Sequence, residues 1–178
     1  MKRYPTYKRI TAAVTLLLAA LWFGFLLLRP SPRGADGAAV GCVAPDFELN
    51  TVEGETYRLS DLRGRAVVLN FFATWCTYCR AEMPVLQAAY ETHRDRGLLV
   101  LAVNLDESDL AITRFREQLG LTFPILVDRG GNVSQLYQIV PLPTSFFLDR
   151  EGVIRAKWTG ALDEAQVDEA LKLILQEG

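Results

Sequence analysis

Seven consecutive residues, Ala66-Val-Val-Leu-Asn-Phe-Phe72, include a single polar side chain. A strand with one wet face alternates apolar and polar residues, whereas a run apolar at both parities has to be covered on both faces. A second run, Leu98-Leu-Val-Leu-Ala-Val-Asn-Leu105, makes the same demand. Between them, Cys79 to about Arg94 places apolar residues at 83, 86, 89 and 90, the spacing of an amphipathic helix. Two doubly buried strands joined by a helix require a central sheet with a layer on either side.

The flanking segments complete that sheet. Asp46-Phe-Glu-Leu-Asn50 and Thr56-Tyr-Arg-Leu59 alternate about Val52-Glu-Gly-Glu55 and predict a hairpin. Leu110 to Leu119 is expected to be a helix stopped by Gly120, Phe123 to Val127 a short strand and Val133 to Tyr137 a short helix. Thr144 to Asp149 and Val153 to Trp158 flank an Arg-Glu-Gly turn, a terminal hairpin. Asp163 then caps a last helix with apolar positions 167, 170, 171 and 174. The expectation is an α/β domain over residues 41–178, a mixed central sheet with helices on both faces. A domain of roughly 140 residues buries about two thirds of its extended-chain surface and needs no covalent staple.

The first forty residues have a different character. Ile10 to Leu28 is nineteen residues without a charge. As a helix it is about 28 Å long, close to the hydrocarbon thickness of a bilayer. Residues 1–9 are read as a basic cytoplasmic tail, 10–28 as a transmembrane signal-anchor helix and 29–40 as a linker rich in Pro, Gly and Ala. Lys2, Arg3, Lys8 and Arg9 hold the N-terminus in the cytoplasm and put the body on the extracytoplasmic side, periplasmic or outer. A cleaved signal peptide fits less well: the run is longer than an ordinary signal core of roughly 7–15 residues, and Gly37-Ala-Ala39 lies well beyond it. The lipid bilayer is thus an expected partner of residues 10–28.

Formal net charge is −2. Six basic residues precede Val40 against Asp36 alone, which leaves thirteen basic and twenty acidic side chains for the body. An acidic body has no footprint for phosphates, and nucleic acid is excluded as a partner. Three cysteines and one histidine are too few for a disulfide framework.

The chemistry sits in Trp75-Cys76-Thr77-Tyr78-Cys79, where a buried strand hands over to a helix. Unpaired N–H groups at a helix start favour negative charge, so a cysteine there gives up its proton more readily. Two intervening residues place the second sulfur one turn on, within reach of a reversible disulfide. Cys76 is expected to be the exposed attacking thiolate and Cys79 the buried resolving thiol, exchanging through a mixed disulfide with a partner protein. No cofactor beyond this redox-active pair is expected, and no metal. A zinc site would have to recruit Cys42 and His93, which the chain order keeps apart. A permanently closed structural disulfide is the other alternative.

Ala44-Pro-Asp-Phe-Glu-Leu, Leu59-Ser-Asp-Leu-Arg-Gly, the stretch Val68 to Pro84 around the two cysteines, and Pro141-Leu-Pro-Thr-Ser-Phe-Phe-Leu-Asp occur in this order. Together they resemble the membrane-anchored thioredoxin-like reductases of the ResA/TlpA/CcmG group, relatives of the AhpC/TSA redoxins. The resemblance spans about residues 41–177. It implies a thioredoxin-like fold with an N-terminal β-hairpin extension and a central strand–helix insertion. It also implies thiol–disulfide exchange outside the cytoplasmic membrane, commonly the reduction of apocytochrome c haem-attachment cysteines during cytochrome c maturation. A membrane thiol–disulfide carrier is then the expected electron donor.

Residue by residue, Cys76 and Cys79 match the family's active pair, and Pro143 its cis-proline. Leu142, Pro143 and Thr144 are then expected to receive the substrate chain by strand-like pairing, with Trp75 shaping the contact face. Glu82 matches the family's acidic residue. It either modulates thiol protonation near Cys79 or is a solvated first-turn glutamate that complements the helix dipole. Asn70 stands where thioredoxins often carry a buried aspartate, and an amide cannot take up a proton. Thr77-Tyr78 differs from the dipeptide of the best-known members and leaves the redox poise open. An oxidant or isomerase for secreted proteins is therefore an alternative. A peroxidase fits less well, because peroxiredoxins place Pro and Thr where Leu69 and Ala73 stand. A non-catalytic peptide-binding module would leave the cysteine pair without a purpose. Cys42 is expected to be an unpaired small apolar residue.

Overall fold

A computed structural model describes residues 38–175. The segments 1–9 and 10–28 and most of the 29–40 linker lie outside them. Among the described residues no helix is long and apolar enough to cross a membrane.

The two apolar runs are strands β3 (Ala66–Phe72) and β4 (Leu98–Asn104), every residue of both buried. They pair in parallel from Ala66↔Leu98 to Phe72↔Asn104, with helix α1 (Thr77–His93) as the crossover. Strands β1 (Glu48–Thr51) and β2 (Thr56–Arg58) form the expected antiparallel hairpin. Helix α2 (Asp109–Leu119) starts on the Ser108 side chain and stops at Gly120, whose φ of 62° suits a residue without a Cβ. Strand β5 (Ile125–Val127), the short helix α3 (Asn132–Leu136), strands β6 (Thr144–Leu148) and β7 (Ile154–Thr159) and helix α4 (Glu164–Ile174) complete the chain. Asp163 and Gln166 form a capping box at the start of α4.

The sheet has seven strands in the order β2-β1-β5-β4-β3-β6-β7. Its centre is parallel, and β6, β7 and the β1–β2 hairpin are antiparallel additions. The hairpin does not stand apart: Asn50 and Thr51 pair with Val127 and Leu126, so it extends the β5 edge.

Strand parity sorts the core. Val68 and Phe72 of β3, with Val100 and Ala102 of β4, face a layer made by α1, α2 and α4. Val67, Leu69 and Phe71, with Leu99, Leu101 and Val103, face the other way. That second face is covered by less helix than expected. Among the described residues the short α3 and a single 3-10 turn, Leu59–Leu62, lie over it, joined by Tyr137 and Phe47 from connecting segments. The fully buried Tyr137 ring packs against Phe47, Phe71 and Phe146, and its hydroxyl donates to the Pro45 carbonyl at 2.6 Å. Aromatic side chains bury more area per residue than any others, which lets irregular chain do the work of a helix here.

The carboxyl ends of β3 and β4 and the start of β6 lie at one end of the sheet. Residues 41–44 enter at the other, where Gly41 and Ala44 donate to Ile154 and Gly152 beside the β6–β7 turn.

Candidate active site

Cys76 is the N-cap of α1, and Cys79 lies in its first turn. The two are joined in a disulfide with Cα atoms 5.2 Å apart. Cys76 Sγ also accepts the Cys79 backbone N–H at 3.1 Å. A sulfur at this place is held by a donor that belongs to the helix end, where excess negative charge is stabilised. Cys79 is fully buried, while Cys76 keeps 7% of its surface. Cys76 is thus less open than the sequence suggested: the residue is buried and keeps only a small solvent-facing fraction where it lines the groove described next.

Around Cys76 the surface is apolar. Trp75, Tyr78 and Val140 are 74%, 69% and 88% exposed. With Cys76, Thr77, Leu105 and Leu142 they line a groove of about 500 Å³. Exposed large apolar groups clustered beside a reactive sulfur are the mark of a surface that meets another chain. The Leu142–Pro143 bond is cis, and the Pro143 carbonyl accepts from Gly160 N–H at 2.9 Å. Thr144, expected among the substrate contacts, is only 2% exposed, and its hydroxyl donates to the Pro141 carbonyl at 2.8 Å. It holds the loop in shape from beneath, since β6 begins there and turns the side chain into the protein.

Glu82 is fully buried, which removes the solvated-glutamate alternative. It lies one turn beyond Cys79 on the same helix face. Its Oε1 accepts from Asn70 Nδ2 at 2.7 Å and its Oε2 from the Leu162 backbone N–H at 3.0 Å. Asn70 Nδ2 also donates to Ser145 Oγ at 2.8 Å, while the buried Asn70 Oδ1 has no partner. Burial pushes the Glu82 carboxyl from 4.5 up to about 7, against the opposing pull of the Leu162 N–H and the Asn70 amide. An acid poised there exchanges protons readily at neutral pH.

Sequence reasoning missed three parts of this site. Leu162 and Ser145 contribute through contacts with Glu82 and Asn70 that cross from other elements, and nothing in their local sequence signals it. Glu107 accepts from both the Thr74 backbone N–H and its hydroxyl at 2.6 Å. A signal existed for Glu107: it follows the carboxyl end of a buried parallel strand, where α/β sheets place their sites. Cys42 is unpaired, but exposed rather than packed as a small apolar residue. His93 lies at the far end of α1. Among the described residues no cluster of His, Cys, Asp and Glu is placed to hold a metal.

A central mixed sheet, a cysteine pair at the start of the helix after β3 and a cis-proline loop facing it define a thiol–disulfide oxidoreductase of thioredoxin-like fold. A sequence model of the AhpC/TSA family matches residues 40–157. The thiol–disulfide oxidoreductase ResA of Geobacillus kaustophilus is 38% identical over 174 residues, 98% of this chain and 99% of that protein. The ResA of Bacillus anthracis is 34% identical over 161 residues, 90% of this chain and 93% of that one. Among solved structures, StoA from Bacillus subtilis matches with a TM-score of 0.62 at 30% identity, over 71% of this chain and 96% of that chain. A thioredoxin-family thiol:disulfide interchange protein from Chlorobium tepidum matches with a TM-score of 0.70 at 27% identity, over 78% and 99%. The chain belongs to the AhpC/TSA family and, within it, to the thiol–disulfide oxidoreductases of ResA type.

Proposed function

We propose that this chain is a single-pass, membrane-tethered reductase whose body works on the extracytoplasmic side, with residues 10–28 in the bilayer. Its substrates are disulfides in partner proteins, the haem-attachment cysteines of apocytochrome c among them. The observation that carries the proposal is the Cys76–Cys79 disulfide at the helix start, with Cys76 lining an apolar groove beside the 142–143 loop.

The Cys76 thiolate attacks one sulfur of the substrate disulfide, forming a mixed disulfide and releasing the other substrate sulfur as thiolate. Cys79 then loses its proton to the Glu82 carboxylate and attacks Cys76 Sγ. The second substrate thiolate leaves, and the Cys76–Cys79 disulfide remains. The substrate has gained two electrons and the protein has lost them. A membrane thiol–disulfide carrier returns them, and Glu82 gives up its proton in the reverse step.

Trp75 and Leu142 receive the substrate chain, and the buried Pro143, its carbonyl held by the Gly160 N–H, sets the shape of the loop beneath them. The exposed aromatic faces supply apolar contact, and the backbone of the loop supplies strand-like pairing. Cys79→Ser, expressed in membranes, is expected to accumulate a mixed disulfide through Cys76, while Cys76→Ser loses all exchange activity. A Cys76→Ser protein with full exchange activity refutes the assignment. A reduction potential at or below roughly −250 mV supports reduction, and one near about −120 mV makes the protein an oxidant.

A further inference from the structure

Glu107 lies on the loop between β4 and α2, outside the cysteine motif and the cis-proline loop, yet its carboxylate is aimed at the turn that carries Cys76. Oε2 accepts the Thr74 backbone N–H and Oε1 the Thr74 hydroxyl, both at 2.6 Å. The carboxylate is itself held from behind. Asn104, fully buried at the end of β4, donates its amide to Oε2 at 2.7 Å, and its Oδ1 accepts the Glu107 backbone N–H at 3.0 Å. Arg129 donates to the Glu107 carbonyl at 2.6 Å. Between Asn104 and Glu107 the chain passes through Asp106 at a φ of 52°, a left-handed conformation that costs a non-glycine residue energy and that surrounding contacts must maintain. The same loop presents Leu105 to the groove beside Cys76, and Leu105 N–H donates to the Phe72 carbonyl at the end of β3.

We propose that Glu107 is a positioning residue for the exchange reaction: by holding both donors of Thr74 it fixes the turn from Ala73 to Cys76. That turn keeps Cys76 as the N-cap of α1, with Sγ against the Cys79 N–H. The inference rests on Cys76 being the attacking sulfur. Thr74 lies two residues before Cys76, and the Cys76 N–H donates to the Ala73 carbonyl at 3.2 Å, so release of Thr74 frees the N-cap from one side. A freed N-cap holds the thiolate less firmly against its donor, and the thiol keeps its proton to higher pH. The charged groups around the turn are Asp106, Glu107 and Asp109, with Arg129 bonded to Asp109 and 3.6 Å from Asp106, and on α1 Glu82 and Arg80, whose guanidinium is turned to Gln118 and Phe115. A direct charge effect of Glu107 has the opposite sign, since removing a nearby negative charge makes a thiolate easier to form. Positioning and charge are therefore separable by direction.

The test is alkylation of the reduced full chain, kept in detergent micelles, with iodoacetamide across a pH series. Mass mapping assigns the product to Cys42, Cys76 or Cys79. Glu107→Gln and Thr74→Val are expected to slow Cys76 alkylation at pH 7 about three- to tenfold and to move the pH midpoint upward by about half to one unit. Thr74→Val removes only the hydroxyl bond, which makes it the milder variant. Thr74→Ser restores that donor and is expected to match the wild type. The double variant is expected to be no slower than Glu107→Gln alone. An unchanged pH profile in both variants, whatever happens to thermal stability, overturns the positioning role and leaves the exchange mechanism standing. Faster alkylation in Glu107→Gln overturns it in favour of charge. Wild-type protein alkylated first at Cys79 overturns the mechanism itself.

Discussion

Glu82→Gln isolates the energetic cost of keeping an ionisable group inside this active site. The carboxyl is fully buried and its pKa is raised from 4.5 to about 7, with burial as the main cause. Between those two values the folded protein holds a proton that the unfolded chain has released. Stability contributed by the protonated form is therefore complete below about pH 4.5 and is lost as the pH rises through 7. The gap from 4.5 to about 7, at about 1.4 kcal/mol per pH unit, is about 3 kcal/mol. Glutamine has nearly the same shape, keeps an oxygen for the Leu162 N–H and does not titrate. Its amide nitrogen meets the Asn70 side chain, which can turn its unpartnered Oδ1 toward it. The measurement is urea unfolding of the oxidised wild type and the variant, followed by tryptophan fluorescence at half-unit steps from pH 4.5 to 8.5. The wild type is expected to lose about 3 kcal/mol relative to the variant across that range, most of it before pH 7, and then to level off. A difference that stays constant with pH, or one that moves in the wild type's favour as pH rises, refutes a raised Glu82 pKa. It would also remove Glu82 as the proton acceptor for Cys79.

Two further substitutions probe the scaffold away from the sulfurs. Tyr137→Phe strips the donor from the Pro45 carbonyl while leaving the aromatic packing intact. It is expected to cost about 1–2 kcal/mol in denaturant unfolding and to leave the reduction potential unchanged. Asp163→Ala dismantles the capping box at the start of α4 and is expected to cost about 1 kcal/mol, read as a lower unfolding midpoint. Because the Leu162 N–H that meets Glu82 directly precedes this cap and holds the Glu82 carboxyl down against burial, the pH dependence of unfolding is also expected to strengthen in Asp163→Ala.

Local information marks the elements of this protein well. The runs at 66–72 and 98–104 are apolar at both parities, and only a doubly covered strand makes use of that. Gly120 and Asp163 mark helix ends through backbone freedom or a side chain, which act within a few residues. The spacing Cys76-Thr-Tyr-Cys79 at a strand-to-helix handover announces a redox pair because both the helix end and the sulfur separation are local geometry. The burial of Glu82 was half legible: it falls on the stripe of Cys79, Met83 and Leu86, but a glutamate in the first helical turn also suits solvent.

The remainder depended on tertiary packing. Whether the β1–β2 hairpin stands alone or extends the β5 edge depends on backbone bonds between residues more than seventy positions apart, and backbone donors carry no sequence signature. That aromatic rings complete the cover of the face over which the short α3 lies follows from how Tyr137 and Phe47 meet Phe71 and Phe146 of the sheet in space. The sequence alone determined that the chain carries a sheet, a following helix and a sulfur pair at their junction. Only the folded structure decided how open Cys76 is, that Thr144 faces inward, and that Glu82 and Glu107 reach the site through Leu162, Asn70 and Thr74. Those are contacts between distant segments, fixed by which surfaces the whole domain leaves no room to solvate.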